Sequence, residues 1–359
     1  MQLNLCKMMK FLENFLIFFL AGTASVFALP SENECLAWLE KHRGGNGVSR
    51  EFLQENTRLA LAGTQNQPWA KDVPDKIFLE YILPYDSVGE TPEPWRERFL
   101  NLLLPRVENC KTASEVAEKL NRELWDLLGV HYSPKRDKPD QSPSHSMRIG
   151  KASCTGLSIL LIDACRAVGV PARFVSCVWQ HKPGNHSWVE IYDGGQWFYL
   201  GAGDGGNVNN AWFDADTAMC ENADATHAIY ALTWGEAASE IGLIWNPQFR
   251  VPAENVTARY VALNKNKLPL CISIVDKNGN RVATKIRVRD LAGTLIADNL
   301  TTYDDRRDLN DHLKINGVPA SAQVQIETLD GKKLVPAKSR VAGLLVFEIE
   351  PAGTRRERE

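Results

Sequence analysis

Apolar and polar positions follow three successive patterns along this chain. Up to about residue 132 the period is helical. Glu51 to Leu61 carries Phe52, Leu53, Leu59 and Leu61 on roughly one side, behind Ser49. Thr112-Ala113-Ser114-Glu115 matches a capping box, and the helix it opens carries Val116, Leu120, Leu124 and Leu127 before Gly129 stops it. Pro84, Pro92, Pro94 and Pro105 interrupt the segment and separate its helices.

A polar stretch, residues 133–145, then predicts a long loop and a candidate cleft wall. From Cys154 the helical period returns, with Leu157, Leu160, Leu161, Ala164 and Val168 on one face. Cys165 falls off that face, and Gly169-Val170-Pro171 ends the run. Arg173 to Trp179, Ser187 to Tyr192 and Gln196 to Leu200 predict strands, the last two joined by the turn Asp193-Gly194-Gly195.

Beyond about residue 250 short β-rich runs take over: Arg259 to Leu263, Leu270 to Val275, Lys285 to Val288, Val324 to Thr328 and Leu344 to Ile349. With turn signals between them, such as Asn278-Gly279-Asn280, they predict an all-β sandwich of immunoglobulin-like or transthyretin-like type. No reactive pairing stands out in it, which points to a structural module. The expected class is therefore α+β. A leader occupies 1–28, a helical region 29–132, an α+β core 133–250 and a β-sandwich 251–359.

The leader is read from Lys7 and Lys10, the short apolar run Phe15 to Leu20, and Val26-Phe27-Ala28 with small residues at a cleavage site. The apolar run is short for a membrane span, so the expectation is a secreted or periplasmic chain with no span after cleavage. A net charge of −3 gives no electrostatic case for nucleic acid. Seven cysteines remain after Ala28, an odd number that leaves at least one thiol free or paired between chains. No close Cys/His pairs resemble a zinc site, so neither metal nor cofactor is expected.

Chemistry concentrates at Cys154, which opens a helix, and at His186, which begins a strand 32 residues later. A helix start presents unpaired N–H groups and partial positive charge, which favour a thiolate and can hold an oxyanion. An imidazolium at His186 would pair with that thiolate and later protonate a leaving group. The imidazole also needs a group to hold its ring. Asp204, after the strand Gln196 to Leu200, is the first candidate. Glu190 lies further along the His186 strand, and Asp193 sits in the hairpin turn, facing solvent on the simplest geometry. Gln141 is a weaker candidate as oxyanion partner. His181 reads as a surface histidine, while Trp188 and Trp197 read as core or cleft wall.

Across residues 110–235 these features resemble the transglutaminase-like superfamily, a circularly rearranged relative of the papain fold. The resemblance is carried by Cys154 with the helix end Gly169-Val170-Pro171-Ala172-Arg173, by His186-Ser187-Trp188-Val189-Glu190, and by Trp197. Ser133-Pro134-Lys135-Arg136 and Trp212-Phe213 also look like exported bacterial members. The resemblance implies a Cys-His-Asp triad, acyl-thioester chemistry and no catalytic metal. One departure stands out. The family's acid falls four residues after the strand tryptophan, which is Gly201 here, and Asp204 lies three residues further on. Either Asp204 completes the triad or the site is a Cys-His dyad. The implied activity is that of a cysteine protease or deamidase on peptide or protein amides, with transamidation as a further outcome. The competing class is a non-catalytic peptide- or glycan-binding scaffold that keeps the fold.

Overall fold

The computed structural model describes residues 29–43, 47–220, 224–264, 269–302, 313–319, 323–337 and 344–349. Residues 1–28, expected as a leader, lie outside them. The architecture is α+β, with most helices first and largely antiparallel sheets after, the strands Pro269–Val275 and Leu344–Glu348 pairing in parallel. The N-terminal helices are α1 (Glu32–Arg43), α2 (Arg50–Thr64), α3 (Asp75–Tyr81), α4 (Trp95–Val107) and α5 (Ala113–Leu128). Local chemistry sets their ends. Ser49 accepts from Phe52 N at 3.2 Å to cap α2, and Thr112 accepts from Glu115 N at 3.1 Å to cap α5. The reciprocal half of the box is displaced by one residue, because Glu115 takes the N–H of Lys111. Gly129 closes α5 in the left-handed conformation, φ 64°. Pro105 does not break the chain. It sits inside the last turn of α4.

Two differences from the sequence pattern affect the core. Residues 133–145 are not a continuous loop: Ser142 and Pro143 start helix α6 (Pro143–Ile149), which Gly150 ends. Around it, β1 (His131–Tyr132) pairs in parallel with β2 (Lys151–Ala152), a short clip that delivers the chain to Cys154. The second difference is Arg259 to Leu263, which belongs to helix α9 (Thr257–Asn264) rather than to a strand. Asn255 accepts from Thr257 N at 3.1 Å and starts that helix. A five-residue apolar run is too short for its period to separate the two states.

Helix α7 (Cys154–Ala167) is the centre of the molecule. It is buried on every side beyond its first residue, Cys165 included. The stripe alone predicts one buried face, but α7 has partners on both sides. On one side lies a six-stranded antiparallel sheet, ordered β5 (Gln196–Leu200), β4 (Asn185–Asp193), β3 (Ala172–Val178), β6 (Tyr230–Leu232), β8 (Asn246–Asn255) and β7 (Ser239–Leu243). The last strand of the sheet in sequence, β8, runs on to Asn255, a few residues past 250, where the pattern ends the core. Alternation assigns its faces: Phe174, Val189 and Ile191 join the α7 cluster, while Val175, Cys177, Trp188 and Tyr199 join a second cluster with Phe213 and Tyr260.

On the other side the N-terminal helices cover α7. Trp69 Nε1 donates to Val168 O at 2.8 Å, and Arg96 Nη1 to Arg166 O at 3.0 Å. Gly63 allows α2 to touch the end of α7, since a Cβ there would lie 2.2 Å from Ala167 O. That oxygen is backbone and cannot move aside cheaply. Gly63→Ala should therefore lower stability in urea unfolding by about 1–3 kcal/mol. A variant as stable as the parent would show that α2 and α7 can separate freely.

The C-terminal segment forms two sheets around their own core. One is ordered β11 (Leu295–Thr301), β10 (Lys285–Asp290) and β13 (Val324–Thr328). The other is ordered β12 (Leu313–Pro319), β9 (Pro269–Val275), β15 (Leu344–Glu348) and β14 (Val335–Ala337). Ile272, Ile274, Ile286, Val288, Ile326 and Phe347 fill that core. No described helix is long and apolar enough to cross a membrane.

Candidate active site

Cys154 is half-buried at the first position of α7. Ser153 precedes it in extended conformation, yet its side chain does not cap the helix, and its hydroxyl is buried with no hydrogen-bond partner. The first intrahelical bond is Leu157 N to Ser153 O at 2.9 Å, so the N–H groups ahead of Leu157 are not used by the α7 ladder. Thr155 and Ser187 meet at 3.3 Å through their hydroxyls, which ties the start of α7 to β4 beside His186.

His186 is the second residue of β4. Its ring lies 4.7 Å from Trp212, 4.8 Å from Phe213 and 5.8 Å from Trp188, with Trp179 beyond. Nε2 is buried and has no hydrogen-bond partner. Burial, and then the nearby Lys182 ammonium, push this imidazole down to about 3, against the pull of Asp216. The ring is therefore neutral near pH 7.

Asp204 reaches the same place by a tight turn, with Asp204 N bonded to Gly201 O at 3.1 Å. Asn121 clamps this turn, donating to Gly201 O and accepting from Gly203 N, each at 2.9 Å. The carboxylate folds back over Gly201: a Cβ on that glycine would lie 1.7 Å from Asp204 Oδ2. An acid from position 204 thus occupies the space a side chain at 201 would fill. It accepts a hydrogen bond from Trp212, while burial pushes it up to about 6 although its edge is exposed at the cavity mouth.

All three residues line one cavity of about 710 Å³, together with Trp125, Asp126, Tyr132, Trp179 and Trp212. No hydrogen bond joins any two of Cys154, His186 and Asp204. Trp212 touches both Asp204 and His186, donating to Asp204 and lying 4.7 Å from the His186 ring. The wall comes from Val130, His131 and Tyr132 rather than from the 133–145 segment.

The other candidates are committed elsewhere. Glu190 is fully buried between Arg173, Arg259 and Tyr260. Asp193 does not face solvent: it accepts from Ser114 N at 3.0 Å and from the Ser114 hydroxyl at the start of α5. Gln141 spends its amide on Ser146 and Lys151 O, away from any oxyanion. His181 is not a free surface histidine, because Nε2 lies 3.0 Å from Asp216.

The model of the transglutaminase-like superfamily matches residues 103–202. These residues are similar to a transglutaminase-like domain. The match begins inside α4 and includes α5. Among solved structures, a protein of Cytophaga hutchinsonii described as a "Putative Cysteine Protease" is similar at 18% identity, with a TM-score of 0.28. The similarity covers 34% of this chain and 42% of that one, so the chain spans less than half of that protein's length. No curated protein matches the chain.

Cys154 and His186 fall inside the matched transglutaminase-like segment, and Asp204 lies just past its end. The sequence reading missed Lys182 and Asp216. Lys182 is buried beside the domain's histidine, with Nζ 2.8 Å from Asp216 Oδ2 and 5.1 Å and 5.6 Å from the ring centroids of Trp179 and Trp212. A lysine in a polar Gln-His-Lys-Pro stretch carries no sequence sign that it will be buried. The ammonium disfavours a second positive charge on His186, so its removal should favour the imidazolium. Lys182→Met should move the His186 titration upward by about one pH unit or more, followed by NMR of the ring nitrogens. An unmoved titration would leave burial as the whole cause.

Proposed function

We propose that this chain is an exported cysteine enzyme that acts on peptide or side-chain amides through an acyl-thioester. Hydrolysis, as a protease or deamidase, is favoured over transamidation. The observation that carries the reading is the convergence of Cys154, at the uncapped start of α7, and His186 on one cavity. His186, which lines the same cavity as Cys154, acts as the base. As Cys154 Sγ attacks the amide carbon, the thiol proton passes to the imidazole. The N–H of Cys154 and its neighbours at the helix start hold the oxyanion. The imidazolium then gives its proton to the departing amine as the C–N bond breaks. Water, deprotonated by the same ring, cleaves the thioester and restores the thiol. Asp204 acts as a positioning residue, steadying Trp212 against the imidazole.

The test is a panel of peptides, some carrying glutamine, incubated with and without a primary amine. Products and enzyme are then followed by mass spectrometry. Acyl adducts on Cys154 with cleaved or deamidated products support the reading. Peptides that bind and are released unchanged, with Cys154 never acylated, overturn it. That second outcome is the binding-protein reading, which is favoured by the missing hydrogen bond between Asp204 and His186. Export is tested by the N-terminus of the mature chain, expected at Leu29.

A further inference from the structure

Behind His186, on the face of the sheet away from α7, two thiols lie side by side. Cys177 on β3 is the register partner of His186 on β4. Cys220 ends the segment that carries Trp212, Phe213 and the short helix α8 (Asp214–Ala218). Their sulfurs are 3.7 Å apart. Both residues are buried, at 2% and 0% exposure, within the cluster that holds Trp179, Trp188 and Phe213. Around them Cys177 Sγ donates to His227 O at 3.3 Å and Cys220 Sγ to Asp216 O at 3.4 Å. These contacts aim both side chains inward, toward each other.

We propose that Cys177 and Cys220 form a disulfide that clamps the Trp212–Cys220 segment to β3. The sulfurs are already in contact, and forming a bond of about 2.05 Å closes them by less than about 2 Å. The clamp fixes the wall on which the His186 ring lies, since Trp212 and Phe213 touch that ring and Asp216 holds Lys182. Pairing these two leaves five of the seven cysteines, Cys154 among them, outside the bond. The proposal does not depend on whether Cys154 is a nucleophile.

The oxidant is a dithiol-accepting disulfide, either small-molecule, such as oxidised glutathione, or a protein. One cysteine thiolate attacks it, giving a mixed disulfide and one released thiol. The second cysteine thiolate displaces the remaining half as a second thiol. The pair gives up two protons and two electrons, and the oxidant is reduced to two thiols. Because both sulfurs are buried in the folded chain, exchange accompanies folding rather than following it.

The test uses the full chain, refolded either in a mixed reduced and oxidised glutathione buffer or in reductant. Each sample is unfolded with an alkylating agent present and then mapped by mass spectrometry. After the glutathione buffer, Cys177 and Cys220 should escape alkylation and appear in one linked peptide, while Cys154 is alkylated or carries glutathione. The natural chain should also melt about 5 °C or more higher after oxidative refolding than after reductive refolding. A Cys177→Ser, Cys220→Ser double variant should melt alike after both. Alkylation of Cys177 and Cys220 after oxidative refolding, or linkage of either to another cysteine, overturns the proposal. So does a melting gain that survives in the double variant.

Discussion

Cys154→Ala should lower amide turnover by at least about 10³-fold and leave the unfolding midpoint close to that of the parent chain. The first half follows from chemistry. Without Sγ no thioester forms, and what remains is the oxyanion site and substrate binding. The second half follows from position. Cys154 is the one residue of α7 that is not buried, so the substitution opens no enclosed cavity in the core. His186→Ala should cost a comparable factor, and the double variant little more, because the two groups act in one proton transfer. Asp204→Asn is the informative contrast. An acid that held the imidazole directly would cost about 10⁴-fold when amidated. An acid that acts only through Trp212 should cost about 10-fold, and Trp212→Phe should cost about the same. Steady-state rates on one peptide amide separate these outcomes. A Cys154→Ala chain with undiminished turnover would sink the nucleophile. A 10⁴-fold loss at Asp204→Asn would mean that the carboxylate swings onto His186 when substrate enters.

Which parts of this arrangement are legible in the sequence depends on the range of the forces involved. Thr112, Glu115 and Gly129 specify α5 because caps act within one turn. The β4–β5 hairpin is legible because Gly194 and Gly195 accept positive φ, 53° and 86°. Cys154 and His186 are legible because their positions at element starts are themselves local. Whatever depends on distant partners is not. The Asp193 carboxylate is claimed by Ser114, seventy-nine residues away, and Glu190 by a helix near residue 260. The complete burial of α7 comes from layers contributed by both flanking regions. The return of Asp204 onto Gly201 needs Asn121 to hold the turn, which no spacing rule connects to either residue.

Glu190→Ala should destabilise the chain by about 3–5 kcal/mol, the cost of breaking a buried ion pair and leaving its partner uncompensated. In the sequence this glutamate resembles a site residue, four positions after His186. In the structure it is fully buried and organises the opposite end of the sheet face. Arg173 Nε donates to Glu190 Oε2 at 2.8 Å, and Nη2 lies 2.7 Å from the same oxygen, off the hydrogen-bonding direction. Arg259 pairs with Oε1, and the Tyr260 hydroxyl donates to Oε1 at 2.7 Å. Arg173 cannot retreat to water when the carboxylate goes. It is 2% exposed, stacked 3.9 Å over Trp197, and left with the buried Tyr81 hydroxyl and one exposed carboxylate, Glu254. Arg259, 37% exposed, can swing out, so its share of the loss should be small. Glu190→Gln keeps an acceptor for Tyr260 but removes the charge, and should fall between parent and alanine variant. The double variant Glu190→Leu, Arg173→Met replaces the pair with apolar volume and should lose much less than the two single losses added together. Denaturant unfolding of the parent, the single variants Glu190→Leu and Arg173→Met, and the double variant measures this coupling. A Glu190→Ala chain within about 1 kcal/mol of the parent would mean that water reaches Arg173 once the carboxylate is gone.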